Sequence, residues 1–184
     1  MADATALSAT PTAVAGRDCA DLAQDAELLR SSPLLEDFSE AEAAVLGRYM
    51  DRVLAAPGQI LIAEGQINDW MLLILGGTVD VTKRRPDGTP ARLAVVGAGA
   101  VLGEMSMLDG EARYATCTAL EAVEAAVLRR ESMGKLIAER PAVGAKLLVK
   151  ITQLLAQRLR NTSNQLVRLI DERTHGGSGA GSGA

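Results

Sequence analysis

The 184-residue chain sets 19 Lys and Arg against 23 Asp and Glu, for a net charge of −4, with 48% hydrophobic and 23% charged residues. That balance excludes a disordered polyelectrolyte and gives no general electrostatic reason for nucleic-acid binding, while the length suffices for one domain with a substantial core. Two unspaced cysteines, Cys19 and Cys117, and one histidine, His175, offer neither a disulfide framework nor a zinc ligand set.

In chain order, residues 1–16 are small, polar and unpatterned, and read as disordered. Residues 17–56 read as N-terminal helices. The first is an acidic, Ala- and Leu-rich segment over 18–30. The second begins at Ser39, a predicted N-cap with Glu42 in the capping-box position, and runs to about Leu54, where Pro57-Gly58 stops it. Residues 57–130 carry short β-branched or Leu-rich runs broken by Gly-rich turns, among them Pro86-Asp87-Gly88, as in a small antiparallel barrel or sandwich. Cys117 falls in an alternating run and reads as a buried thiol. Residues 131–173 return to a helical period, first to about Arg140, then in one long helix from Pro141. The last residues, 174–184, have flexible Gly/Ser linker composition, native or engineered. The predicted fold class is α+β. No apolar run reaches the roughly 18 residues of a membrane span, and no signal peptide is visible at the N-terminus. A cytoplasmic protein without membrane contact is expected.

The chemistry concentrates between Gly103 and Thr116. Gly103-Glu104 opens a short helical segment, and nine residues after the Glu comes Arg113, followed by Tyr114, Ala115 and Thr116. A carboxylate accepts hydrogen bonds from a sugar hydroxyl, and a guanidinium matches two anionic oxygens. The unpaired N–H groups that open a helix add donors for an anion. Together they predict a cup for a sugar next to a phosphate. Two other readings compete. Glu104 and Arg113 could form a structural ion pair on a barrel rim. Gly97-Ala98-Gly99-Ala100-Val101-Leu102-Gly103 has near-Rossmann glycine spacing, but Asp109-Gly110 breaks the following helix within about two turns, too soon for a crossover helix.

The Gly-Glu, short helix, Arg and small-residue order resembles the phosphate-binding cassette of cyclic nucleotide-binding domains. Gly103, Glu104, Arg113, Ala115 and Thr116 match it, whereas Tyr114 replaces the small residue usual there. Upstream, the stretch 57–65 is similar to that family's first hairpin, and 70–81 to its next pair of strands. The resemblance implies a small antiparallel β-barrel or jelly roll (a double-stranded β-helix), flanked by N-terminal helices and a long C-terminal helix that closes over its base. It implies a ligand, cAMP or alternatively cGMP, and no separate cofactor. Gly103, Glu104, Met105, Arg113, Tyr114, Ala115 and Thr116 would bind it, with Val81 and Leu93 as apolar walls of the base pocket. Arg158-Leu159-Arg160-Asn161-Thr162-Ser163-Asn164 resembles the segment of catabolite-activator-type members in which a Thr-Ser pair meets the base, so Thr162 and Ser163 are carried over as base contacts.

The long helix has its own pattern. Leu148, Thr152, Leu155, Leu159, Thr162, Leu166 and Leu169 repeat at spacings of four and three, a seam suited to a second copy, while Leu147, Ile151 and Leu154 suit packing on the barrel. Thr162 could equally bond back to a carbonyl one turn earlier. Lys146, Lys150, Arg158, Arg160 and Arg168 precede the first acidic residue, Asp171. They read as a solvated face or as partners of the acidic stretch 18–42 rather than as a nucleic-acid face. Lys83-Arg84-Arg85 beside the hairpin turn reads as solvent-facing.

With no nucleophile–base pair, an enzyme is not expected. The sequence predicts a stand-alone cyclic nucleotide sensor, most simply for cAMP, acting as a homodimer on an effector protein of unknown identity. Because linker composition stands where transcriptional relatives carry a helix-turn-helix, direct DNA binding is not expected. The alternatives are a non-binding dimerisation module, with Tyr114 filling the cup, or a sensor of cGMP or cyclic di-GMP.

Overall fold

The computed structural model describes residues 12–176, without the side chains of residues 12–18, 26 and 172–176. The disorder expected for residues 1–11 and the linker at 177–184 lie outside the described residues. Nine strands form two antiparallel sheets, five strands in the order β1-β2-β9-β4-β7 and four in the order β3-β8-β5-β6. The first holds β1 (Thr12–Asp18), β2 (Met50–Ala55), β4 (Trp70–Gly76), β7 (Val101–Leu102) and β9 (Val123–Arg129). The second holds β3 (Ile60–Ile62), β5 (Val79–Arg84), β6 (Pro90–Val96) and β8 (Thr116–Ala119). Helices α1 (Ala26–Ser31) and α2 (Glu40–Gly47) precede the roll, α3 (Glu104–Asp109) interrupts it, and α4 (Arg130–Glu139) and α5 (Pro141–Gly176) follow. This is the expected jelly roll with a long C-terminal helix.

Two packed layers explain the sequence pattern. Between the sheets lie Val53, Leu61, Ile62, Trp70, Leu72, Ile74, Val79, Val123 and Val127. On the outer face of the larger sheet, Met71, Leu73, Ala126 and Leu128 pack with Leu46 of α2, Leu136 of α4 and Leu147 and Ile151 of α5. Strand β4 is covered on both faces, so Trp70 through Ile74 is one continuous buried apolar run rather than an alternating one. Leu147 and Ile151 therefore form the inward face of α5, with Leu154 packed partly buried beside them.

The N-terminal region departs from expectation in three places. Thr12–Asp18 is a strand paired with β2, not unpatterned chain. The helix expected over 18–30 divides into a 3-10 turn, Ala20–Gln24, and α1, where the Asp25 carboxylate accepts from Leu28 N–H (2.8 Å). The capping box is present: Ser39 and Glu42 bond reciprocally at the start of α2. That helix ends at Gly47 rather than near Leu54, and residues 50–55 pair in continuous register with β9. Gly47 packs so tightly that a Cβ would overlap the Cys19 carbonyl, and the chain turns there into β2. The roll thus begins before Pro57, and the unit 17–56 is not wholly helical.

Two strand relations also differ. β3 pairs with the distant β8 rather than forming a hairpin, and β4 and β5 lie in different sheets. Gly77 makes that corner at φ 83°, with Ala122 and Val123 backbone where a side chain would stand. The Pro86-Asp87-Gly88 turn does close the β5–β6 hairpin, with Asp87 Oδ1 accepting from Thr89 N–H at 2.9 Å. Among the described residues, no helix is long and apolar enough to cross a membrane.

Candidate ligand-binding site

A cavity of about 640 Å3 opens where the inner face of the smaller sheet, α3 and α5 meet. Ile62, Val81, Leu93 and Cys117 supply the sheet wall; Gly103, Glu104, Met105, Ser106, Leu108 and Asp109 supply the α3 wall; Arg113, Tyr114 and Ala115 follow. Leu155, Arg158, Leu159 and Thr162 of α5 close the remaining side. The expected residues Gly103, Glu104, Met105, Arg113, Tyr114, Ala115, Val81, Leu93 and Thr162 are therefore brought together. Thr116 and Ser163 are not in the lining; the Thr116 hydroxyl accepts from Glu64 N–H (3.1 Å), pinning β3 against β8.

Local geometry explains the Gly-Glu pair. Gly103 sits at φ 78° as the N-cap of α3, and a Cβ there would overlap the Arg113 guanidinium. Only glycine allows both the left-handed turn and the close approach of Arg113. Glu104 follows as the first helical residue and is 2% exposed, an expensive place for a carboxylate unless it is paired. Its partner is Arg158 on α5, which also donates to the Val101 carbonyl at 2.6 Å. No ion pair joins Glu104 to Arg113, so the rim-pair reading fails.

Arg113 is 2% exposed, and its side chain does not stand free in an open cup as the sequence suggested. It donates to the Gly103 carbonyl (2.7 Å), the Trp70 carbonyl (2.6 Å) and Asn68 Oδ1 (3.4 Å), and lies 4.3 Å over the Trp70 ring. A guanidinium has five N–H donors, so these bonds do not exhaust it at the cavity wall. Burial pulls its pKa below the usual guanidinium value, opposed by the nearby Cys117, Glu104 and Asp69. At the inner wall two cations, Arg113 and Arg158, face one anion, Glu104, which leaves the wall net positive. Asp109 lies out at the exposed rim. Burial pushes the Cys117 thiol up to about 12, which keeps it protonated and inert in the apolar wall.

Tyr114 does not plug the cavity. Its side chain is 57% exposed, with Lys83 Nζ 4.5 Å from the ring centroid and bonded to the Tyr114 carbonyl (2.7 Å). Lys83 also pairs with Glu64 (2.8 Å), so this part of the basic run is an anchor rather than free solvent-facing charge. The Thr162 hydroxyl donates to the Arg158 carbonyl (2.9 Å), the backbone-directed alternative. Arg158 and Ser106 are among the lining residues that sequence reasoning missed, along with Ile62, Leu102, Leu108, Asp109, Cys117, Leu155 and Leu159. For Arg158 the signal was its place one turn before Thr162 on the same face; for Ser106, nothing distinguished it within α3.

The chain belongs to the cyclic nucleotide-binding domain family. That family's model matches residues 52–140, from β2 through the cassette to the end of α4. A solved cyclic nucleotide-binding domain from Methylobacillus flagellatus superposes with a TM-score of 0.74 at 36% identity, covering 82% of this chain and 85% of that one. The catabolite activator protein of Thermus thermophilus gives a TM-score of 0.70 at 30% identity, over 77% of this chain and 64% of that one. A CRP-like cAMP-activated global transcriptional regulator of Mycobacterium tuberculosis is 31% identical over 144 residues, 78% of this chain. The chain spans 62% of that regulator's length.

Proposed function

We propose that this chain is a regulatory module that binds a cyclic mononucleotide, cAMP first, in the α3–α5 cavity. One observation carries the reading: Glu104, Arg113 and Arg158 line a single cavity whose inner end sets two cations against one buried carboxylate, beside the opening N–H groups of α3. A cyclic phosphodiester carries one negative charge, a ribose hydroxyl needs a carboxylate acceptor, and a purine needs an apolar slot such as Val81, Leu93 and Leu159 provide. The volume falls within the 300–1,000 Å3 usual for small-molecule sites. The Mycobacterium relative is named as cAMP-activated and a Thermus thermophilus relative as a cyclic AMP receptor protein, which supports the choice of nucleotide. In this reading binding is the whole activity, the output passes through α5 to an effector, and a homodimer forms along its outer face. The empty-module alternative loses its main support, because the Tyr114 ring leaves the cavity open. Calorimetric titration with cAMP, cGMP and cyclic di-GMP tests the proposal. One site per chain with cAMP tightest is the expected result; no heat with any of the three at millimolar ligand would overturn it.

A further inference from the structure

Helix α3 has six residues, far too few to hold its own shape in water. Its ends are held from outside. At the N-terminal end the Gly103 carbonyl accepts from Arg113. At the C-terminal end, Arg130 donates from Nε to the Met107 carbonyl (2.7 Å) and from Nη2 to the Ser106 carbonyl (3.0 Å), which also accepts from the Gly110 N–H (3.0 Å). A cation placed there also complements the helix dipole. Both arginines are tied to one short segment. Arg113 bonds Asn68 and the Trp70 carbonyl, while the Arg130 N–H donates to the Asp69 carbonyl at 2.7 Å. Arg130 differs in one respect: it does not line the cavity, and it is the first residue of α4, which packs against α5.

We propose that Arg130 is a positioning residue that fixes the cassette helix α3 from behind and transmits its state to α4 and α5. The proposal rests on the nucleotide-binding reading and says how that site reports its occupancy. A shift of α3 toward a bound phosphate draws on the Ser106 and Met107 carbonyls, and the guanidinium carries that pull to the first turn of α4. An apolar side chain of similar length cannot carry it.

The test is hydrogen–deuterium exchange of the full chain, as wild type, Arg130→Met and Arg130→Lys, without ligand and at saturating cAMP, with calorimetric affinities. Without ligand, Arg130→Met should exchange about tenfold faster in α3, with the two sheets unchanged, because two charge-assisted bonds are lost there. It should bind cAMP about tenfold more weakly, recover α3 protection at saturation, and fail to show the wild-type response in α4. Arg130→Lys, which keeps the charge and one bond, should fall between, and it carries the comparison if Arg130→Met does not fold. Unaltered α3 exchange, a full α4 response in Arg130→Met, or a uniform rise across the chain would overturn the proposal. If wild type binds no cyclic nucleotide, the function proposed above fails, and α3 exchange in the ligand-free variants still decides the role of Arg130.

Discussion

Arg113 shows how one residue serves two demands. It is both the cation of the cavity wall and the partner of two backbone carbonyls and an aromatic face. Removing it deletes two buried bonds from a charged donor, each contributing about 1.5–3 kcal/mol, and leaves the Gly103 carbonyl only the Met107 N–H (3.2 Å). Arg113→Ala should therefore lose cAMP binding and also melt roughly 5–10 °C lower, given roughly 2–4 °C per kcal/mol for a chain of this size. An unchanged melting temperature in a thermal scan would show that the carbonyl bonds contribute nothing. Glu104 is the second test. If its carboxylate accepts from the ribose 2′-hydroxyl, Glu104→Gln should weaken cAMP and matter much less for 2′-deoxy-cAMP; equal losses for both would remove that contact. Gly103, Glu104 and Arg113 were legible in the sequence because their chemistry is local: a left-handed turn, a helix start, a guanidinium nine residues on. The inward commitment of Arg113 to Trp70 and Asn68 was not legible, since those acceptors lie over 40 residues away in the chain.

At the scale of elements, α5 is the piece with two jobs. Its first turns are clamped to the N-terminal region by Lys146 on Glu42 (2.6 Å) and by Lys150, itself 5% exposed, on Glu36 (2.9 Å) and Asp37. Lys146 and Lys150 thus pair with the acidic stretch, one of the two readings the charge pattern offered, whereas Arg158 of the same set pairs with Glu104. Hydrogen bonds from Lys146 and from the Ser39 backbone hold the Glu42 carboxylate down at about 2, from an ordinary value of 4.5. A carboxyl depressed in the folded state stabilises fully above its unfolded pKa and loses that contribution as pH falls through the folded value. The α2–α5 clamp should hold at pH 6 and weaken progressively from about pH 4.5 toward 2. Glu42→Gln should flatten that part of the stability–pH profile measured by urea unfolding; an identical profile would contradict the assignment. The boundary of α2 was misread because Met50-Asp51-Arg52-Val53-Leu54 fits a helical period nearly as well as an alternating one. Its pairing with β9, remote in sequence, decides the matter.

For the whole molecule, the cavity is a three-way junction of the smaller sheet, the cassette and the long helix, the last two tied together by an ion pair. Arg158 makes that link explicit by joining α5 to Glu104 and Val101 across the cavity. Beyond it, Leu166 and Leu169 are 58% and 56% exposed, the outer face on which the proposed homodimer would form. Leu166→Lys should abolish such a dimer in sedimentation velocity while leaving the circular dichroism unchanged; a dimer that persists would place the contact elsewhere. An antiparallel barrel or sandwich was legible as short strands between helices, and its jelly-roll form was implied by the family resemblance, whereas the partition of β4 and β5 into separate sheets was not legible, because sheet membership depends on long-range pairing. The central claim is that one nucleotide occupies the space among Glu104, Arg113 and α5. A crystal structure of the chain grown with saturating cAMP tests it most directly. The account predicts the phosphate roughly 3 Å from Arg113 and the opening N–H groups of α3, with the ribose on Glu104. A cavity free of nucleotide density under those conditions, or cAMP bound only on an outer surface, would contradict it.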